Sequence, residues 1–184
     1  MVMSVASVRT TAMRKPKAPE ANRARILAAA TVEFASRGFK GASMDAIAAS
    51  LAAEGVRSIS LVDVNAASAD GLASRLRRHY PALEVRITSN DPAGYDLVAN
   101  GTPLGMKAGD PLPIDVARLS ATTFVGEVVM KTEITPLLEA ARARGCRYQV
   151  GTDMLFEMIP AYLEFFGFGT ATPDELRAVA QVSY

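Results

Sequence analysis

Cysteine and histidine each occur once in the 184 residues, as Cys146 and His79. One cysteine excludes an intramolecular disulfide and fits a reducing cytoplasm. Cys146 follows Gly145 in "ARARGCRYQV", where a helical pattern gives way to a strand, the setting of a buried small hydrophobe rather than a nucleophile. His79 lies in "RLRRHYP", at a polar helix end, and reads as solvated. Around one exposed histidine no Ser-His-Asp or Cys-His arrangement and no metal cluster can be assembled. The chain also lacks a run of about eighteen apolar residues and a signal-type segment, so neither membrane insertion nor secretion is indicated.

An excess of charge of one sign is absent as well. The net charge is +1, which gives no global attraction for nucleic acid or membrane. It is unevenly spread, however: Arg9, Arg14, Lys15, Lys17, Arg23 and Arg25 face Glu20 alone in the first 25 residues, leaving the remainder net acidic. Residues 1–20, broken by Pro16 and Pro19, read as a disordered basic tail, with a nucleic-acid contact as the alternative.

What is present is a globular composition, 49% hydrophobic and 21% charged, in a chain long enough for a real core. Asn22 can cap a helix over 22–37 in which Ile26, Leu27, Ala30 and Phe34 recur at helical spacing until Gly38. Ser43 opens a second helix, with Met44, Ile47, Ala48 and Leu51 on one face, ending near Gly55. The rhythm then changes. "SISLVDV", "LEVRI", "YDLVAN", "TTFVGEVVM" and "RYQVG" read as strands. "ADGLASRLRRHY", "PLLEAARARG", "MLFEMIPAYLEFFG" and "PDELRAVAQ" read as helices. Strands separated by helices call for a parallel α/β sheet.

Two resemblances overlie this pattern. "ANRARILAAATVEFASRGFKGASMDAIAA", residues 21–49, resembles the opening of the tetracycline-repressor (TetR) family of regulators, with Ile26, Leu27, Ala29, Ala30, Phe34, Gly38, Phe39, Ser43, Met44, Ile47 and Ala48 on its pattern. No recognition helix follows, so sequence-specific DNA binding is not expected. From residue 46 onward the chain resembles the cofactor-binding half of the shikimate/quinate dehydrogenases. "NGTPLGMKAGDPLP", residues 100–113, and the continuous stretch 128–167 carry that match. The fold implied is an incomplete Rossmann-like doubly wound parallel sheet over 46–184, preceded by a TetR-like helical segment over 21–45. A TetR-type regulator and a non-functional fusion product remain alternatives.

The second resemblance implies NAD(P)-linked hydride transfer to a ring hydroxyl of a hydroxylated cyclohexene or cyclohexane carboxylate, a small-molecule partner. A homodimer is left open. In such folds a glycine loop brings backbone N–H groups to the pyrophosphate at a helix N-terminus. Here "RGFKGASMD" takes its place: only Gly41 falls in the loop, and Met44 and Asp45 stand where small residues are wanted, Met44 crowding the phosphate. Binding of the dinucleotide is therefore expected to be weak. Asp63 closes an apolar strand, where a carboxylate accepts hydrogen bonds from the adenosine ribose and repels a 2′-phosphate, favouring NAD; capping of the next helix is the alternative. By resemblance Asn100, Thr102, Val128, Gly151 and Met154 complete the cofactor site, core packing being the other reading of Val128 and Met154. The family's substrate-contacting tyrosine and glutamine are Met130 and Met158 here. No catalytic residue is identified, and the family's lysine and aspartate pair has no counterpart in residues 1–45. Because "RILAAATVEFASRG" before the loop is helical by pattern, the central strand has no local supplier. Residues 2–8 could fill the slot, or the half-sheets could close. The expectation adopted is a destabilised domain with residues 1–20 disordered and helix 22–37 on the open sheet.

Overall fold

The computed structural model describes residues 4–9 and 44–182. Six strands form one sheet: β1 (Ser4–Arg9), β2 (Ser58–Asp63), β3 (Glu84–Ile87), β4 (Leu97–Asn100), β5 (Phe124–Glu127) and β6 (Arg147–Gln149). The helices are α1 (Met44–Ala53), α2 (Ala66–His79), α3 (Pro136–Ala143), α4 (Gly151–Phe165) and α5 (Pro173–Val179), with a short 3-10 turn at Val116–Arg118. The spatial order is β3-β2-β1-β4-β5-β6, that of a Rossmann-like doubly wound sheet. Strands β2 and β3 run parallel, as do β4, β5 and β6.

Strand β1 is the correction. Residues 4–9 are not a disordered tail: they lie in the central slot and pair antiparallel with β2, Ser4 opposite Asp63 and Arg9 opposite Ser58. On their other side they pair antiparallel with β4, Val5 opposite Asn100. The physical reason is the cost of the gap. Each buried backbone group left unpaired along β2 and β4 would cost on the order of 1–3 kcal/mol, and a strand in either direction removes that cost. Residues 10–43, including the expected helix 22–37 and Gly41, lie outside the described residues.

Alternation sorts the sheet's side chains onto two apolar clusters. Ile59, Leu61, Val85, Leu97, Ala99 and Phe124 pack with Leu72 and Leu76 of α2 and with Met44, Ile47, Ala48 and Leu51 of α1. Val98 and Val125 face the other way, onto Leu137, Leu138 and Ala141 of α3, with Tyr95, Ile114, Leu119 and Cys146. The residues that end the regulator-like pattern, Met44, Ile47 and Ala48, thus serve as the sheet-covering face of α1. Met44 is buried in that cluster, which corrects the expectation that its side chain crowds a phosphate.

Several polar groups in these layers are matched. Ser60 is buried in β2, and its hydroxyl oxygen accepts from the Tyr95 hydroxyl at 2.7 Å. Asn65, not Asp63, caps α2 by accepting from the Ser68 N–H at 3.4 Å. Arg77, Arg78 and the exposed His79 sit in its last turn, where cations suit the helix dipole. Cys146 is buried, its thiol donating to the Ser120 carbonyl at 3.1 Å, and burial pushes its pKa up, away from nucleophilic use.

A central strand with partners on both sides leads to a direct expectation. Amide exchange at residues 5–8 should be as slow as in β4, and Ser7→Pro, which deletes a ladder donor, should destabilise the protein by about 1–3 kcal/mol. Unprotected amides at 5–8, or an unchanged denaturation midpoint in Ser7→Pro, would show that β1 is not part of the sheet.

Candidate functional site

Four strands end in a polar residue at the same edge of the sheet: Asp63, Asn100, Glu127 and Gln149. This is the carboxyl edge of the parallel strands, where open α/β sheets bind ligands. Because β1 runs backwards, it brings its first residues to this edge and leaves the sheet at the opposite one, beside Ser58.

Asn100 is fully buried, and both ends of its amide are used. Its Oδ1 accepts from the Thr102 N–H at 3.0 Å and the Thr102 hydroxyl at 2.7 Å. Thr102 Oγ1 in turn accepts from the Leu104 N–H at 3.1 Å. The Asn-x-Thr spacing thus folds its own turn, as asparagine does after a strand. Further along, Asp110 Oδ2 accepts from the N–H groups of Gly105 and Lys107 at 3.1 and 2.9 Å. Gly105 has φ 97°, a left-handed value that glycine takes without strain.

The Asn100 amide nitrogen donates to Glu127, at 2.9 Å to Oε1. Oε1 also accepts from the N–H groups of Val128 and Val129 at 2.9 and 3.1 Å, and Oε2 from the Thr135 hydroxyl at 2.9 Å. Thr135 is the N-cap of α3, its hydroxyl oxygen accepting from the Leu138 N–H. A buried carboxylate thus ties the ends of β4 and β5 and the start of α3, fixing both ends of the loop 128–134. Burial pushes the Glu127 pKa above the ordinary carboxylate value, and the hydrogen bonds from Val129, Asn100, Thr135 and Val128 only partly oppose it.

That loop forms one wall of a cleft of about 350 Å³. Val128, Val129, Met130 and Lys131 stand opposite Gly101, Thr102, Pro103 and Met106. Val128 both lines the cleft and packs against the core. Gly151 opens α4 against the back of the loop. A Cβ there would collide with the Val129 backbone, coming within 2.6 Å of its carbonyl carbon, so only glycine fits. Met154 and Met158 belong to α4, and their side chains lie outside the described residues.

Asp63 stands apart from this cleft, separated from β4 by β1. Its Oδ1 accepts from the Asn65 N–H at 2.8 Å, while Oδ2 is buried without a partner among the described residues. The Gln149 amide is likewise buried with neither atom bonded among the described residues. The structure therefore brings together Asn100, Thr102, Val128, Met130 and Gly151, and leaves Asp63 on its own with an unused acceptor. Sequence reasoning missed Glu127, Thr135 and Asp110; an acid at the end of "FVGE" followed by Thr-Pro was the available signal. Among the described residues no group of three or more His, Cys, Asp or Glu could hold a metal, and no helix is long and apolar enough to cross a membrane.

Glu127 carries a testable pH dependence. The folded state holds its proton more tightly than the unfolded chain, so the resulting stabilisation is full below the unfolded carboxylate pKa and is lost as pH rises through the higher folded value. Glu127→Gln should flatten this fall in a pH series of denaturation midpoints. Glu127→Ala, which orphans four donors, should cost on the order of 3 kcal/mol or more at every pH. A Glu127→Ala protein as stable as the parent would remove Glu127 from the centre of the site.

No protein-family model matches the chain. It is 33% identical over 142 residues to a shikimate dehydrogenase (NADP(+)) of Methylocella silvestris, covering 77% of this chain and 50% of that protein. It is 32% identical over 139 residues to a quinate/shikimate dehydrogenase (NAD(+)) of Corynebacterium glutamicum, covering 72% and 48%. The chain thus spans about half the length of these curated relatives. Among solved structures, quinate dehydrogenase from Corynebacterium glutamicum in complex with NAD superposes with a TM-score of 0.65 at 26% identity, over 84% of this chain and 60% of that one. In sequence and in fold, the C-terminal region of this chain resembles the NAD(P)-binding domain of the shikimate/quinate dehydrogenases.

Proposed function

We propose that the chain holds NAD at the carboxyl edge of its sheet, as part of an oxidoreductase of the shikimate/quinate dehydrogenase kind, and that it does so weakly and without turnover of shikimate or quinate. The observation that carries this reading is the Asp63 carboxylate. One of its oxygens is buried and unpartnered at the end of β2, although a buried acceptor left unbonded is costly. An adenosine ribose hydroxyl would satisfy it, and a 2′-phosphate would be repelled by its charge, which supports NAD over NADP.

The other residues of this reading act on the nicotinamide half. When bound, the nicotinamide ring supplies or accepts the hydride. Thr102 and Val128 line the cleft in which that ring would lie, Asn100 and Glu127 hold its two walls, and Gly151 admits the close approach of α4. Weak binding is argued from the sequence, in which "RGFKGASMD" stands in place of a glycine loop and Asp45 is the second residue of α1. Lack of turnover is argued from Met130, which lines the cleft without a hydrogen-bonding group for a substrate hydroxyl.

Calorimetry should give a millimolar dissociation constant for NAD, about −4 kcal/mol, and weaker binding of NADP. Asp63→Ala should narrow the difference between the two cofactors. No cofactor-dependent change in reduced nicotinamide absorbance is expected with shikimate or quinate. Micromolar affinity for NAD, tighter binding of NADP, or turnover abolished by Thr102→Ala would each contradict the reading.

A further inference from the structure

We propose that Lys131 is a specificity-determining residue, which holds the anionic group of a small acid whose ring carries few hydroxyls in the cleft between the 100–106 and 128–131 segments. The inference deepens the reading above, and rests on it in taking this cleft as the place where the nicotinamide ring and the small molecule beside it meet. Lys131 is the only charged residue in the cleft lining among the described residues, and no carboxylate lines it. Its ammonium takes part in none of the hydrogen bonds or ion pairs among the described residues. A lysine held this way is a point charge on a flexible stem, suited to one carboxylate rather than to a planar fork of contacts.

The rest of the lining is apolar. Pro103, Met106, Val128, Val129 and Met130 form the walls, and Met106 is exposed enough to meet a ligand. The one side-chain hydroxyl, that of Thr102, is already committed: it donates to Asn100 Oδ1 and accepts from the Leu104 N–H. Thioethers adapt to an aliphatic ring but give no useful partner to its hydroxyls. A ring carrying several hydroxyls would have to bury some of them unmatched, and each loses about tenfold in affinity. One cation at an apolar cleft, with its one side-chain hydroxyl already bonded, favours an acid with few ring hydroxyls.

The test uses the full chain labelled at methionine methyl groups, with the Met106 and Met130 signals assigned by substitution. Cyclohexanecarboxylate, cyclohexylmethanol and shikimate are titrated by NMR, and ADP-ribose is titrated separately against the amides around Asp63. Cyclohexanecarboxylate should shift both methyl signals saturably, with at least about tenfold higher affinity than the neutral alcohol or shikimate. Lys131→Met should remove about tenfold of that affinity, and Lys131→Arg should retain most of it. Because Lys131 is exposed and contributes to no buried network, both variants should fold, which the unperturbed amide spectrum checks. The proposal is overturned if the alcohol or shikimate binds as tightly as the acid. It is overturned equally if Lys131→Met leaves the affinity unchanged, or if no ligand moves Met106 and Met130. ADP-ribose failing to shift the Asp63 region while the acid binds would count against the cofactor reading alone. ADP-ribose binding while the acid does not would sink Lys131 alone.

Discussion

The carboxylate of Glu127 is the contact on which the shape of the carboxyl edge depends. It is buried at the end of β5, and it gathers donors from Asn100, Val128, Val129 and Thr135. Without an acceptor there, the Asn100 amide would have no reason to face β5, and the loop 128–134 would lose both of its anchors. The two walls of the cleft stand opposite each other because one side chain is bonded to both. Burying that carboxylate is unfavourable for its charge, which is why its pKa is raised. The donor set makes the cost tolerable, and the return is a defined cleft.

The second constraint is the backwards central strand. A doubly wound sheet needs a strand between β2 and β4, and Ser4–Arg9 provides it in the antiparallel sense. The sheet then keeps the order that creates a carboxyl edge with Asp63 on one side and Asn100 on the other.

Much of the fold was legible because hydrophobic period speaks plainly. "SISLVD", "LVAN" and "FVGE" fall as strands where their patterns end, and the helices after them start at Asn65 and Thr135 as caps require. Strand β1 was not adopted from sequence, because small side chains in a basic segment read as a tail, and nothing in six residues encodes strand direction. Tertiary need for a central strand overrode local propensity. In the candidate site, Asp63 was singled out from its position after an apolar run, and Asn100 and Thr102 only through the family resemblance. Glu127 was not: a glutamate at a strand end reads as solvated until the partners from β4 and α3, 27 residues before it and 8 after, are seen around it. Met44 misled in the opposite direction, since its position beside the replaced loop hid its place in the core.

The central claim is that Asp63 offers its unused oxygen to a nucleotide at an edge otherwise organised by Glu127. A crystal structure of the full chain grown in saturating NAD tests it most directly. The account predicts an adenosine ribose hydroxyl within hydrogen-bond distance of Asp63 Oδ2 and the nicotinamide between Thr102 and Val128. A nucleotide bound elsewhere, or one whose ribose leaves that oxygen unpaired, would contradict it.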